Sequence, residues 1–201
     1  AHVADRDSQA LIAADLRDGS RPNVLIGAAD ADVSQAAFEG AGYRWVTTRA
    51  ELDGVPADAT HVAGVFGNTS PTLTQRARFA VERLSQDPEG FFLLVEHEGI
   101  DEAGHDHAMA NLVATVAEFD AAVEAVVAWA SARGDTLVVV LADHETGGLT
   151  VTEPTPAVGE LPAATWSSTE HTNADVPIFV FGGTLAGPLI DNTEVFALLG
   201  G

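Results

Sequence analysis

Residues 136–144 read TLVVVLADH, an apolar run that stops abruptly at an aspartate and a histidine. Continuous apolarity centred on β-branched valines describes a strand buried on both faces, as in a sheet covered by helices on each side. Residues 112–129 precede it and place Val113, Val116, Phe119, Val123, Val126 and Val127 at spacings of three and four, the stripe of a strongly amphipathic helix that ends at Arg133 and Gly134. Before that helix lies FFLLVE at 91–96, again apolar on both faces. Two such strands joined by a helix form a right-handed parallel crossover, so both end on the same edge of the sheet. The fold class that follows is α/β, a mostly parallel central sheet flanked by helices.

The rest of the chain keeps this rhythm. A short helix is expected over 8–16, a buried strand over 23–28, a helix over 32–40 and a strand over 43–47. Residues 72–84 carry Leu73, Ala77, Ala80 and Val81 at helical spacing after Pro71. A further strand (PIFVFGG, 177–183) and a helix over 193–199 follow. The stretch 152–174, with Pro154, Pro156 and Pro162, is the longest irregular segment and reads as a functional loop rather than a hairpin.

With 201 residues, 46% of them hydrophobic, the chain fits one globular domain or most of one. Its 30 acidic residues against 9 basic ones, all arginine, give a formal charge of −21. That balance excludes nucleic acid and anionic membrane surfaces as partners, because both need cationic neutralisation. The mean hydropathy of +0.13 indicates a folded domain with an acidic surface rather than disorder. A salt-adapted source is one expectation, since at 1 M salt the Debye length falls to about 3 Å and self-repulsion is screened. There is no Cys, so any metal must be held by His and carboxylate. No apolar run reaches the roughly 18 residues of a membrane span. The residues from Ala1 onward have neither the basic start nor the apolar core of a signal peptide, and without an initiator Met the chain is expected to be a processed or partial product.

The chemistry gathers where the apolar runs stop. Glu96, then Asp101 and His105, follow the first run, and Asp143 and His144 follow the second. In open α/β sheets ligands bind outside the carboxyl ends of strands, so these groups converge by topology. Asp101 and His105 are four apart, which on a helix puts them on one face. His171 is a third candidate, and three N and O ligands with an open position are the usual arrangement of a catalytic zinc. Adjacent side chains on an extended segment diverge, so Asp143 and His144 either reach two different metals or one binds while the other orients. A blander reading makes Asp101 the N-cap of the helix that follows it. His97, Glu98, Asp106 and His107 read as solvated groups or as supports for the ligands, and His2 and His61 as surface or supporting histidines.

Taken together, GFFLLVEHEGIDEAGH (90–105), the helix containing EFDAAV (118–123), GDTLVVVLADHETGG (134–148) and EHTNADVP (170–177) resemble the C-terminal half of a bacterial alkaline phosphatase. The resemblance implies hydrolysis of phosphate monoesters through a phosphoserine, with two zinc ions (Zn2+) and one magnesium (Mg2+). It implies Asp101, His105 and His171 as ligands of the first zinc, Asp143 and His144 as ligands of the second, and Glu96 as a magnesium ligand. AHVADRD (1–7) is similar to the segment that carries the family's phosphate-binding arginine, which makes Arg6 the catalytic candidate. A guanidinium suits that task through bidentate hydrogen bonds to two phosphate oxygens.

The family's Ser nucleophile, an Asp shared by the second zinc and the magnesium, and an Asp/Thr pair for magnesium have no counterpart in these 201 residues. The expectation is therefore that 1–201 is the C-terminal portion of a single catalytic domain and is inactive in isolation. Glu102 also departs from the family, which often has Lys, His or Trp there; a carboxylate beside phosphate repels it unless it points away or recruits a cation. The resemblance implies a periplasmic or secreted protein and leaves room for a homodimer. Two alternatives stand beside it. One is another member of the same metalloenzyme superfamily, of the phosphodiesterase or phosphoglycerate mutase type, which shares the D-x-x-x-H, DH and late His ligands. The other is a non-catalytic acidic cation-binding domain.

Overall fold

In the computed structural model, which describes residues 3–67, 70–153 and 156–200, the chain divides into two units, residues 1–94 and 95–201. The first unit opens with α1 (Gln9–Ala14), prolonged by a π-helical segment over Asp15–Gly19. There follow β1 (Val24–Ala28), α2 (Gln35–Gly40), β2 (Arg44–Val46), α3 (Arg49–Asp53), β3 (Val62–Phe66) and α4 (Leu73–Leu84). The strands form a parallel sheet in the order β1, β3, β2, with Val62 opposite both Val24 and Arg44. Parallel neighbours need crossover connections, and α2 and α3 supply them. Capping boxes start α3, through Thr48 and Glu51, and α4, through Thr72 and Gln75.

The core of this unit lies on both faces of β3. Val46, Leu52, Val62 and Phe66 cluster with Ile26 and Phe79, whereas Phe38, Tyr43 and Ala63 cluster with Leu25 and Trp45. The central strand is absent from the sequence reading because Gly64 breaks its short apolar run. The structure needs that glycine, since a Cβ there would meet the Phe66 ring at 2.6 Å and Ile26 at 3.2 Å. The architecture is α/β, as expected, with its parallel sheet in this unit.

The second unit comprises α5 (Gly99–His105), α6 (Met109–Ser131), β4 (Val138–Leu141), β5 (Glu145–Thr146), β6 (Thr150–Val151), β7 (Ala164–Thr165), β8 (His171–Thr172), β9 (Ile178–Phe181) and α7 (Glu194–Leu198). α5 packs on α6, and α6 on β4. The strands pair antiparallel as β4 with β9, β5 with β8 and β6 with β7.

Three expectations are corrected here. Residues 91–96 belong to no strand ladder among the described residues, and β4 is paired by β9 in the antiparallel sense, so the parallel crossover is not formed. A run apolar on both faces needs cover on both; here burial alternates along 91–96, and Phe92 and Leu94 are 71% and 75% exposed. On α6 the buried residues include Ala122, Ala125 and Ala130, while Val113 and Val116 are exposed. The helix is apolar nearly all round, so three-and-four spacing does not single out one face. Finally, 152–174 is not one long loop. Thr150 pairs with Thr165 and Val151 with Ala164, and the stretch between β7 and β8 is tied by the backbone N–H groups of Ser167 and Ser168, which donate to the Gly147 carbonyl. Pro154 and His2 lie outside the described residues.

Candidate metal centre

α5 carries Asp101 in its first turn and His105 as its last residue, so both project from one face of a short helix. Asp101 is not an N-cap: Glu98 holds that position, and the Asp101 carboxylate accepts a hydrogen bond from the Thr146 hydroxyl instead. β8 brings His171 to the same place, because its pairing sets His171 opposite Thr146.

The three side chains converge to within 4.8 Å of one another through one ligand atom each. Nε2 of His105 lies 3.1 Å from Nε2 of His171, and the two imidazole nitrogens lie 3.3 and 3.4 Å from the oxygens of Asp101. A tetrahedral zinc with bonds of about 2.0–2.1 Å separates its ligand atoms by about 3.3 Å. The donors and their spacing therefore fit such an ion. Orientation fits as well: Nδ1 of His105 meets the Thr169 carbonyl at 2.5 Å, and the proton that it donates there leaves Nε2 with its lone pair inward.

The electrostatics follow from this packing. Burial opposes ionisation of Asp101, but the Thr146 hydrogen bond and the three nearby histidines outweigh it and hold its pKa below the ordinary carboxylate range. The Thr169 carbonyl, and after it the charges of Asp101, Glu170 and Asp106, raise the pKa of His105 against its desolvation.

Asp143 and His144 follow β4 in a bend, not in extended chain, and so they converge where divergence was expected. Oδ2 of Asp143 lies 3.3 Å from Nε2 of His144, which itself stacks on His171 with ring centroids 3.5 Å apart. The two residues thus offer a second pair of ligand atoms at the same spacing, beside the first three.

Other expected residues are placed differently. Glu96 is exposed, and it is not in the group that could hold a metal among the described residues. Arg6 belongs to the first unit, in an exposed turn before α1. Glu102 is exposed on α5. His61 packs edge-on against Tyr43 at 5.2 Å, and burial lowers its pKa. His97 is not solvated, because its side chain is only 17% exposed and its Nε2 faces Glu118 at 3.5 Å. Nor is His107, which stacks on Trp166 and reaches the Ser168 carbonyl at 2.6 Å.

The sequence reading missed three contributors. Thr146 contacts both Asp101 and His144. Glu145 accepts hydrogen bonds from the backbone of Gly148 and Leu149, each at 3.1 Å, and from the Thr172 hydroxyl, tying β5 to β8. These bonds hold its pKa below the ordinary range, the Thr172 hydroxyl contributing most. The Thr169 carbonyl orients His105. The one available signal was strand alternation: Glu145 and Thr146 follow His144, and on a strand they point to opposite faces.

A family profile described as alkaline phosphatase matches residues 30–163. Alkaline phosphatase 4 of Bacillus subtilis is 35% identical over 125 residues, which cover 57% of this chain and 27% of that protein. Alkaline phosphatase of Escherichia coli K12 is 30% identical over 173 residues, covering 76% of this chain and 37% of that one. The solved alkaline phosphatase of the Antarctic bacterium TAB5 superposes with a TM-score of 0.76 at 25% identity, over 90% of this chain and 59% of that one. A variant of that enzyme was solved with Mg bound in its M3 site. The chain thus spans between a quarter and two fifths of the length of these curated relatives.

Proposed function

The chain belongs to the alkaline phosphatase family, and on that footing we propose that it is part of an enzyme hydrolysing phosphate monoesters through a phosphoserine intermediate. Asp101, His105 and His171 hold one zinc. Asp143 and His144 contribute to a second, and Glu96 to a magnesium site. Bound zinc supplies Lewis acidity toward the charge that develops on the attacking and leaving oxygens.

The chain's own residues do the rest of what is assigned to it. The Thr169 carbonyl keeps the His105 proton on Nδ1. Arg6 holds two phosphate oxygens through its guanidinium. Glu102, exposed on α5, leaves the phosphate undisturbed when it stays directed to solvent. Both units form part of a single catalytic domain, 1–201, in a periplasmic or secreted protein. No helix of the described residues is long and apolar enough to cross a membrane.

The observation that carries this reading is the triangle of His105 Nε2, His171 Nε2 and the Asp101 carboxylate, with sides of 3.1, 3.3 and 3.4 Å. Two imidazoles in the set favour zinc over calcium, which takes oxygen ligands, and so disfavour a simple acidic cation-binding domain. Metal analysis of the purified chain after dialysis against mixed zinc, magnesium and calcium tests it. About one tightly held zinc per chain, lost on His171→Ala, is the expected result. Calcium without zinc overturns it.

A further inference from the structure

Thr146 stands between two groups of ligands that the sequence separates. Its β-strand, β5, pairs with β8 so that Thr146 is opposite His171 and Glu145 opposite Thr172. Alternation along the strand therefore turns Thr146 to the face of Asp101 and the histidines, and Glu145 to the other. The Thr146 hydroxyl donates to Oδ1 of Asp101 and lies 3.2 Å from Nδ1 of His144.

A hydroxyl has one proton and two lone pairs. An aspartate is ionised near and above neutral pH, where its carboxylate can only accept. The Thr146 proton is thus committed to Asp101, and what faces His144 is an oxygen lone pair. A hydrogen bond there requires His144 to carry its own proton on Nδ1, which leaves Nε2 free. That Nε2 is the atom 3.3 Å from Oδ2 of Asp143.

We propose that Thr146 is a positioning residue for both groups: its one hydroxyl aims the Asp101 carboxylate and sets the His144 proton on Nδ1, presenting Nε2 as a ligand beside Asp143. The packing around it makes this placement firm. An added Cβ on Gly104, in the helix that carries Asp101 and His105, would lie 3.0 Å from both Cβ and Cγ2 of Thr146. The absence of a side chain at Gly104 is what lets α5 settle directly onto Thr146. This inference rests on the zinc reading of the site for its effect on metal affinity, but the direction of the hydrogen bonds stands without a metal.

The test has two readouts on the full 201-residue chain. In the metal-free protein in alkaline buffer, the ¹⁵N shifts of His144 report its tautomer. The expected form is Nδ1–H in the wild type and in Thr146→Ser, with a shift toward Nε2–H in the near-isosteric Thr146→Val. Zinc affinity, measured by chelator competition, is expected to weaken by about 10- to 100-fold in Thr146→Val and to be recovered in Thr146→Ser. Circular dichroism confirms that the variants fold. A wild-type His144 protonated on Nε2, or a valine variant with unchanged tautomer and unchanged affinity, overturns the proposal. A wild-type chain that binds no zinc overturns the metal reading instead, and the tautomer measurement then still decides the role of Thr146.

Discussion

The imidazole of His107 lies flat on the indole of Trp166, with ring centroids 4.9 Å apart and planes 12° apart. His107 adopts a left-handed backbone conformation, φ 53°, which a non-glycine residue takes only at a cost. That conformation turns the chain sharply after α5, so that the side chain returns over residues 166–168 while His105, two positions earlier, grips the Thr169 carbonyl. Two histidines at the end of one helix thus hold the segment that leads to His171. His107→Ala removes the stack and the Ser168 hydrogen bond and is expected to destabilise the second unit by about 1–3 kcal/mol. Trp fluorescence during urea unfolding measures it, and zinc affinity should fall in the same variant. An unchanged midpoint and affinity would show that the stack is incidental.

The glycines of the ADHETGG segment lend themselves to a cleaner steric experiment. Gly147 has φ 91°, and a Cβ there would lie 2.6 Å from the Trp166 ring and 2.9 Å from the Gly104 carbonyl oxygen. Gly134 has a similar φ of 76° but open space around it. Both substitutions to alanine carry the left-handed penalty, of about 1–2 kcal/mol, but only Gly147→Ala also carries the collision. The expected loss is on the order of 2–4 kcal/mol for Gly147→Ala and about 1 kcal/mol for Gly134→Ala. Equal losses in equilibrium unfolding would refute the collision.

Why some of this was legible beforehand and some was not comes down to the range of the signals. Asp101 and His105 are four apart on one helix, and Asp143 and His144 end an apolar strand, so local pattern exposes them. Thr146, Glu145 and His107 act on residues 45, 27 and 61 positions away, and nothing in a threonine, a glutamate or a loop histidine marks such a partner. The run at 91–96 shows the opposite error. Apolarity on both faces implies burial on both only where the strand has a hydrogen-bonding neighbour, which side chains do not announce. For β3 the local signal was diluted by Gly64, a residue that the tight packing of Phe66 and Ile26 demands. For Asp143 and His144, divergence of adjacent side chains holds only while the backbone stays extended, and here it bends and brings them to 3.3 Å.

The capping box of α3 provides a pH-dependent handle in the first unit. Glu51 accepts from the backbone of Thr47 at 2.7 Å and of Thr48 at 3.1 Å, and from the Thr47 hydroxyl at 3.1 Å. The Thr47 backbone bond leads in holding its pKa below the ordinary 4.5, assisted by the Thr47 hydroxyl against desolvation. A depressed folded-state pKa means stability that is fully present above the unfolded value and is lost as pH falls through the folded one. The advantage of wild type over Glu51→Gln should therefore be constant near neutral pH and shrink below about pH 4.5. Thermal unfolding of the pair across pH checks this, and a gap that widens in acid would reverse the assignment.

Binding a metal and turning over a substrate are separable in this chain. The group that could hold a metal has three side chains, the number a catalytic zinc takes, whereas Asp143 and His144 offer only two donor atoms. No residue among the described ones is assigned as the nucleophile, and a two-metal displacement needs both ions and an attacking group in line. The 201-residue polypeptide, supplied with zinc, magnesium and p-nitrophenyl phosphate, is accordingly expected to take up zinc without measurable turnover. Removing a ligand by His171→Ala should abolish the zinc uptake and leave the background hydrolysis rate unchanged. Turnover well above background that disappears with a chelator and with His171→Ala would show that the chain holds a complete catalytic set, and that the attacking group must be sought among its own serines, threonines or bound water.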